Sequence, residues 1–379
     1  DLHLCDRRQR QMCIRDSMFI VGAAMFYTGL AQKIGNTVVH FCGTGENSLM
    51  FGLMIVGTLL SSVLSNTGTA ACLLPVALGI CAAAKIPASR QLMPLAFACG
   101  WGGIITMVGT PPNIIAVGAM TSAGLEPFGF FEFAWIGIPV SIAGMLYMMF
   151  VGKYLLPKVD LSADQEIEQE IEAASTSSTK QIISGVILAL VIITMAVGIP
   201  GVSLEIAAIT GALVCVLTGC LTEKQAYASI DWVTIFLFAG MMPVSNAMDK
   251  TGAGKLIAEW AVSLMGGSPT PIIMTSVLFI ISCTLTQFMS NTAAAALLAP
   301  VGVAISQQLG ASPKAVLMAI GVAASCAFAT PVGTPPCTLV LGPGGYKFMD
   351  YVKVGVPLVV LCFIVSIIVI PMVWPFFPG

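Results

Sequence analysis

Two tripeptides of identical chemistry, Ser65-Asn66-Thr67 and Ser290-Asn291-Thr292, stand 225 positions apart (290 minus 65) inside long apolar stretches. Each brings two hydroxyls, which donate and accept, and a carboxamide, whose NH2 donates and whose oxygen accepts. Amide and hydroxyl donors suit a carboxylate; carbonyl and hydroxyl oxygens suit Na+. The bland role for one copy is to cap a helix or to hydrogen-bond to a neighbouring one. Two copies, each inside a segment too long for a simple span, point past that role. A second motif follows each of them: Val108-Gly109-Thr110-Pro111-Pro112 recurs as Val332-Gly333-Thr334-Pro335-Pro336, 224 positions on (333 minus 109). A proline lacks the N–H that would hold the carbonyl four residues earlier. The carbonyls of Met107, Val108, Pro331 and Val332 are therefore expected to be free for a cation. Thr110 and Thr334 are expected to cap helices that restart with proline in the first turn.

The elements that hold these groups follow from composition. Of 379 residues 57% are hydrophobic and 9% charged, against about 25% charged in soluble domains. Apolar runs of helix-spanning length recur, without the alternation of a barrel strand. The fold class expected is an all-α polytopic membrane protein. The apolar segments fall at about 18–34, 48–84, 91–123, 134–156, 180–199, 204–221, 230–248, 271–309, 313–342 and 351–376. Segments 48–84 and 271–309 carry the Ser-Asn-Thr near their middle and read as re-entrant helical hairpins; 91–123 and 313–342 carry the paired prolines and read as broken transmembrane helices. A hairpin reversal exposes the N–H groups of its returning helix, which favour anions, and the carbonyl end of its arriving helix, which favours cations.

Motifs in matching order at a nearly constant offset are an internal duplication. Lys33-Ile34-Gly35 and Lys250-Thr251-Gly252 extend it at an offset of 217 (252 minus 35), which fits a short indel. The expected organisation is a first repeat at 18–156, an acidic linker at 157–179 and a second repeat at 180–379. The linker, with Asp164, Glu166, Glu168, Glu170 and Glu172, reads as a solvated, partly helical connector. Residues 1–17 are polar and basic, lack a signal-peptide cleavage site, and resemble translated adapter sequence. On that reading they are not native, and the natural chain begins upstream. With the first hairpin opening to the cytoplasm, Lys33, Lys85, Arg90, Lys153, Lys158, Lys180, Lys224, Lys347 and Lys353 lie inside and Lys250, Lys255 and Lys314 outside. That bias sets the orientation. The same threading opens the second hairpin outward, so the repeats are expected to be inverted, as in many secondary transporters.

Other chemistries find no support. Twelve cysteines without a CxxC pair and only two histidines read as small apolar fillers rather than a disulfide framework or metal centre. The net charge of −2 lies in loops and offers nothing to nucleic acid. A proton relay needs an acid or histidine at membrane depth, whereas Glu205 and Asp231 stand at segment ends and Glu126 and Glu132 in a loop. A membrane enzyme needs a nucleophile with its base, an aspartate pair or a metal cluster; His40 alone supplies none of these, and no catalytic residue is assigned. A channel fits less well than alternating access, given paired hairpins and broken helices.

From Met18 to Gly379 the paired Ser-Asn-Thr and paired Thr-Pro-Pro motifs resemble the divalent anion/sodium symporters, the family of sodium-coupled dicarboxylate and citrate carriers. The resemblance implies two hairpin tips meeting near the membrane centre, each binding one substrate carboxylate. It implies one Na+ site from Ser61, Ser65, Asn66 and Gly109, and another from Thr286, Met289 (main-chain carbonyl), Asn291 and Gly333. It implies substrate contacts from Ser65, Asn66, Thr67, Ser290, Asn291, Thr292, Thr334 and Pro335. It further implies a homodimer in the cytoplasmic membrane, an elevator-type motion, and spans before Met18 that this chain does not contain. One departure stands out: Cys337 occupies the place of Asn113, so a polar contact is expected to be missing in the second loop. With no Lys or Arg in the spans near either tip, helix ends offer only about half a charge, and Na+ would balance a dianion. C4-dicarboxylates (succinate, malate, fumarate) fit two tips joined by a short carbon chain. Sulfate, citrate and dicarboxylate exchange remain the alternatives.

Overall fold

The computed structural model describes residues 45–159, 178–197, 204–230 and 270–377, with 20–31 and the isolated positions 17, 33, 37, 232, 247, 251, 256 and 263. The readings for 1–16, for linker residues 160–177, for most of segment 230–248 and for the Lys-Xaa-Gly pair lie outside the described residues. Within them the secondary structure is helical throughout.

Both hairpins are present. Helices α1 (Glu46–Ser61) and α2 (Asn66–Ala84) pack on each other across a reversal at residues 62–65. Ser65 starts α2 because its hydroxyl accepts the Gly68 N–H at 3.1 Å, the side-chain cap that Ser favours. Both helix ends are then closed by a left-handed residue, Lys85 (φ 55°) in the first hairpin and Gly310 (φ 60°) in the second. Behind them the Ile86 N–H reaches the Cys81 carbonyl and the Ala311 N–H the Ser306 carbonyl, each at 2.9 Å, the Schellman closure.

Helices α3 (Leu92–Gly102) and α4 (Pro111–Ser122) flank the first break, and α11 (Pro313–Ser325) and α12 (Pro335–Leu341) the second. Between them run α5 (Ala134–Tyr147, continued by a π-helical turn to Leu155), α6 (Ser178–Val197), α7 (Leu204–Leu217), α8 (Glu223–Ala228), α9 (Pro271–Thr286) and α10 (Asn291–Leu309). Helix α13 (Phe348–Val373) follows α12. The second hairpin is α9 and α10. The hairpins and broken helices interlock crosswise: α1 packs on α3 and α9 on α11, while α2 packs on α12 and α10 on α4. Phe97 and Trp101 of α3 meet Phe328 of the second break edge-on, at 5.3 and 6.2 Å between ring centres.

Helices α5 (with its continuation), α10 and α13 are long and apolar enough to cross a membrane. Trp135, Ile138, Ile142 and Leu146 are exposed along α5, and Val356, Val360, Ile364, Ile368 and Met372 along α13. Stripes of that spacing are lipid-facing surface in a membrane protein. The two ends of α5 anchor different repeats. Near its C-terminal end, Arg90 bonds Glu46 at 2.6 Å and also donates to the Lys153 carbonyl. Near its N-terminal end, Glu132 accepts from Trp374 Nε1 at 2.8 Å and pairs with Lys314 at 3.5 Å. Helices α3 and α11, which lead into the two equivalent breaks, therefore start at opposite ends of α5.

Candidate functional site

Each hairpin presents one asparagine at the first position of its returning helix, and both are buried. One terminal atom of the Asn66 carboxamide lies 2.7 Å from Ser61 Oγ, 3.1 Å from the Cys99 carbonyl oxygen and 3.0 Å from the Gly109 carbonyl oxygen. The matching atom of Asn291 lies 2.8 Å from Thr286 Oγ1, 3.2 Å from the Ala324 carbonyl oxygen and 3.0 Å from the Gly333 carbonyl oxygen. Ser61 and Thr286 donate in turn to the same carbonyls, Ser61 to Cys99 at 2.7 Å and Thr286 to Ala324 at 2.8 Å. No member of either cluster carries a formal charge.

The arrangement can act in two ways, depending on how the carboxamide is turned. With nitrogen inward, its two N–H groups are shared among three oxygens within hydrogen-bond distance and the cluster is satisfied by itself. With oxygen inward, it accepts only from the Ser61 or Thr286 hydroxyl and faces two main-chain carbonyls with no donor between them. A hydroxyl, a carboxamide oxygen and two carbonyls from broken helices then converge. Such all-oxygen sets, with carbonyls from unwound backbone, suit a hard cation such as Na+.

Glycines make the approach of the backbones possible. A Cβ on Gly103 would stand 2.3 Å from Asn66 Oδ1, and one on Gly109 would stand 2.5 Å from the Gly103 carbonyl oxygen. At Gly333 the obstacle would be the Thr286 carbonyl oxygen, at 2.6 Å. Each break is also tied to its hairpin by a threonine at the same offset of 224 (330 minus 106): Thr106 donates to the Ser62 carbonyl, and Thr330 to the Gln287 carbonyl at 2.7 Å.

Of the residues expected at the cation sites, Ser61, Asn66 and Gly109 converge, as do Thr286, Asn291 and Gly333. Ser65 instead turns its hydroxyl to the Gly68 N–H. Met289 sits half-buried in the second reversal with its N–H on the Leu285 carbonyl at 3.1 Å. At the tips, Thr67 and Ser290 are exposed and Thr292 is half-buried; Thr334 is buried and Pro335 exposed.

Three expectations are corrected. Thr110 and Thr334 do occupy the cap positions of α4 and α12, but neither hydroxyl caps. The prolines explain it: the first two helical residues have no N–H, and the third donates to the threonine's own carbonyl, Asn113 at 3.2 Å and Cys337 at 3.1 Å. Thr110 Oγ1 is consequently buried without a partner. The Pro331 carbonyl is not free, because Thr338 Oγ1 donates to it at 2.6 Å. Nor does the second loop go without polar support. Asn113 braces the first break by donating to the carbonyls of Gly103 and Ile104, at 3.3 Å each, and of Thr106, at 2.8 Å. In the second repeat Gln287 takes that task, donating to the Cys283 and Cys326 carbonyls at 3.0 and 3.1 Å and accepting the Ala329 N–H at 3.0 Å.

Sequence reasoning missed Gln287, Gly103 and the carbonyls of Cys99 and Ala324. The carbonyl pair obeys the 225-residue offset (324 minus 99) but has unlike side chains, so it leaves no visible motif.

A model of the CitMHS citrate-transporter family matches residues 17–311 and 198–377. An uncharacterized transporter of Haemophilus influenzae is 32% identical over 370 residues, 92% of this chain and 77% of that protein. A sodium-dependent dicarboxylate transporter, SdcS of Staphylococcus saprophyticus, is 25% identical over 389 residues, 93% of this chain and 74% of its own. Among solved structures, the YdaH transporter of Alcanivorax borkumensis superposes with a TM-score of 0.66 at 18% identity, over 97% of this chain and 86% of its own. MtrF of Neisseria gonorrhoeae does so with 0.67 at 16%, over 97% and 82%. These two likenesses establish the fold alone.

Proposed function

Since the chain belongs to the citrate-transporter family and is an integral membrane transporter, we propose that it carries divalent anions, C4-dicarboxylates first among them, across the cytoplasmic membrane coupled to Na+. The observation that carries this reading is the pair of uncharged oxygen clusters, each joining a hairpin to a broken helix. Na+ in each cluster would supply the positive charge that a dianion between the tips needs and that no Lys or Arg in either cluster provides. Substrate carboxylates would bind at Ser65-Asn66-Thr67 and Ser290-Asn291-Thr292, with Thr334 and Pro335 beside them. Ser65 and Met289 complete the two sodium shells in this reading. The sodium dependence stated for SdcS supports the coupling.

The entry of α3 and α11 from opposite ends of α5 supports inverted repeats, and with them alternating access by an elevator-type movement in a homodimer. Uptake of labelled succinate into proteoliposomes under an inward Na+ gradient, compared with an equal K+ gradient, tests the proposal. Uptake only with Na+, competed by malate and not by sulfate or citrate, is the expected result. Uptake indifferent to Na+ defeats the coupling, and competition by citrate or sulfate alone moves the substrate to that anion.

A further inference from the structure

Beside the first tip, the helical residues 20–27 and one face of α2 enclose a slot of about 460 Å³. Its α2 wall runs from Ser65 through Gly68 and Ala71 to Pro75, one helical stripe roughly 15 Å long. Phe26 and Tyr27 form the facing wall, and Ser229 lies among the residues that complete it. The Phe26 ring lies so close to α2 that a Cβ on Gly68 would stand 2.7 Å from it. The second repeat has Ala293 where the first has Gly68, so its returning helix carries a Cβ where the first leaves room for the Phe26 ring.

Among the described residues, no Lys, Arg, Asp, Glu or His lines the slot. A second carboxylate placed along it would lose water without gaining a partner. The volume falls within the range of roughly 300–1,000 Å³ typical of small-molecule sites, and a four-carbon dianion held at the tips would leave the slot unfilled. From this geometry we infer that the slot is a side pocket for an uncharged alkyl or aryl substituent of a dicarboxylate whose charged end sits at Ser65. The transported or inhibiting ligands then include tail-bearing dicarboxylates as well as the plain C4 acids. This inference rests on the reading that the tips bind carboxylates.

Equilibrium binding of labelled succinate, 2-methylsuccinate and 2-benzylsuccinate to the purified protein in Na+ tests it. Burial of the ring in the slot is expected to make benzylsuccinate bind about ten-fold more tightly than succinate. Ala71→Phe, which fills the slot from an exposed position, should remove that gain and leave succinate binding unchanged. If Ala71→Phe abolishes succinate binding too, Tyr27→Ala decides: widening the slot should shift the preference toward a phenylethyl tail, and an unchanged order overturns the inference. Equal affinity across the series, or a gain that survives Ala71→Phe, also overturns it and leaves the slot to a lipid chain. Failure of succinate alone to bind speaks against the C4 reading, while a benzylsuccinate signal sensitive to Ala71→Phe would still stand. If no member of the series binds, both readings fall.

Discussion

At Asn66 and Asn291 a single carboxamide atom answers to three oxygens, so in the proposed coupling each side chain would decide whether its cluster closes on itself or opens to an ion. Replacing either by Ala leaves the buried Gly109 or Gly333 carbonyl without the carboxamide and the Ser61 or Thr286 hydroxyl with its main-chain acceptor alone, a loss on the order of 1–3 kcal/mol. Asn66→Ala and Asn291→Ala should each raise the sodium concentration for half-maximal uptake about ten-fold or more, and weaken substrate binding with it. Sodium titration of uptake checks this, and unaltered curves for both variants would remove the clusters from the coupling. Gly103→Ala reaches the same point by another route. Its methyl would occupy the space of the Asn66 carboxamide, 2.3 Å away, so sodium affinity should fall although no ligand has been deleted. The equivalent residue of the second repeat is Ala327 (103 plus 224), which already bears a Cβ. The two clusters are therefore alike in their ligands and unlike in their packing, and a methyl at position 103 should damage only the first.

Helix breaks are costly unless their loosened backbone is held, and the two repeats hold it differently. Asn113 reaches back from α4 to three carbonyls of its own break; Gln287, at the end of α9, bonds the Cys283 carbonyl of its own helix and reaches forward to the Cys326 carbonyl and the Ala329 N–H of the break. Asn113→Ala should lower thermal stability and impair the proposed first sodium site, and Gln287→Ala the proposed second, by roughly 1–3 kcal/mol of stability each. Thermal unfolding with and without Na+ reads both: the variant that damages a site should lose part of the stabilisation that Na+ confers. Equal sodium stabilisation in both variants and the wild type would confine these residues to support of the fold. The contrast also marks what was legible in the sequence. Hairpins and breaks could be read because proline spacing and Ser-Asn-Thr repeat at a fixed offset. The Thr110 and Thr334 hydroxyls misled, because a cap needs an N–H that paired prolines do not have. Cys337 suggested a lost contact because the replacing group, Gln287, lies 50 residues earlier in the chain (337 minus 287). Long-range substitution of one brace for another leaves no local trace.

Crosswise packing ties each hairpin to the opposite repeat, with α2 against α12 and α10 against α4. In the proposed elevator, movement of one tip would therefore carry the other break with it, and both clusters and the tips would travel as one body. The ends of the two hairpins report how that body is threaded through the membrane. Lys85 closes α2 near the Arg90 and Glu46 pair at the far end of α5, and Gln308 lies at the end of α10, shortly before Lys314, which pairs with Glu132 at the near end. Both positions are exposed. In a cysteine-free background, Gln308→Cys should react with a membrane-impermeant maleimide in intact cells, and Lys85→Cys only after the membrane is opened. Labelling of both from the same face would make the repeats parallel, which an elevator built on inverted halves could not use. Opposite faces, with Lys85 inside, would place the first hairpin's open end in the cytoplasm. A carboxylate held at Ser65 would then leave toward the side on which Arg90, Lys153 and Lys347 gather.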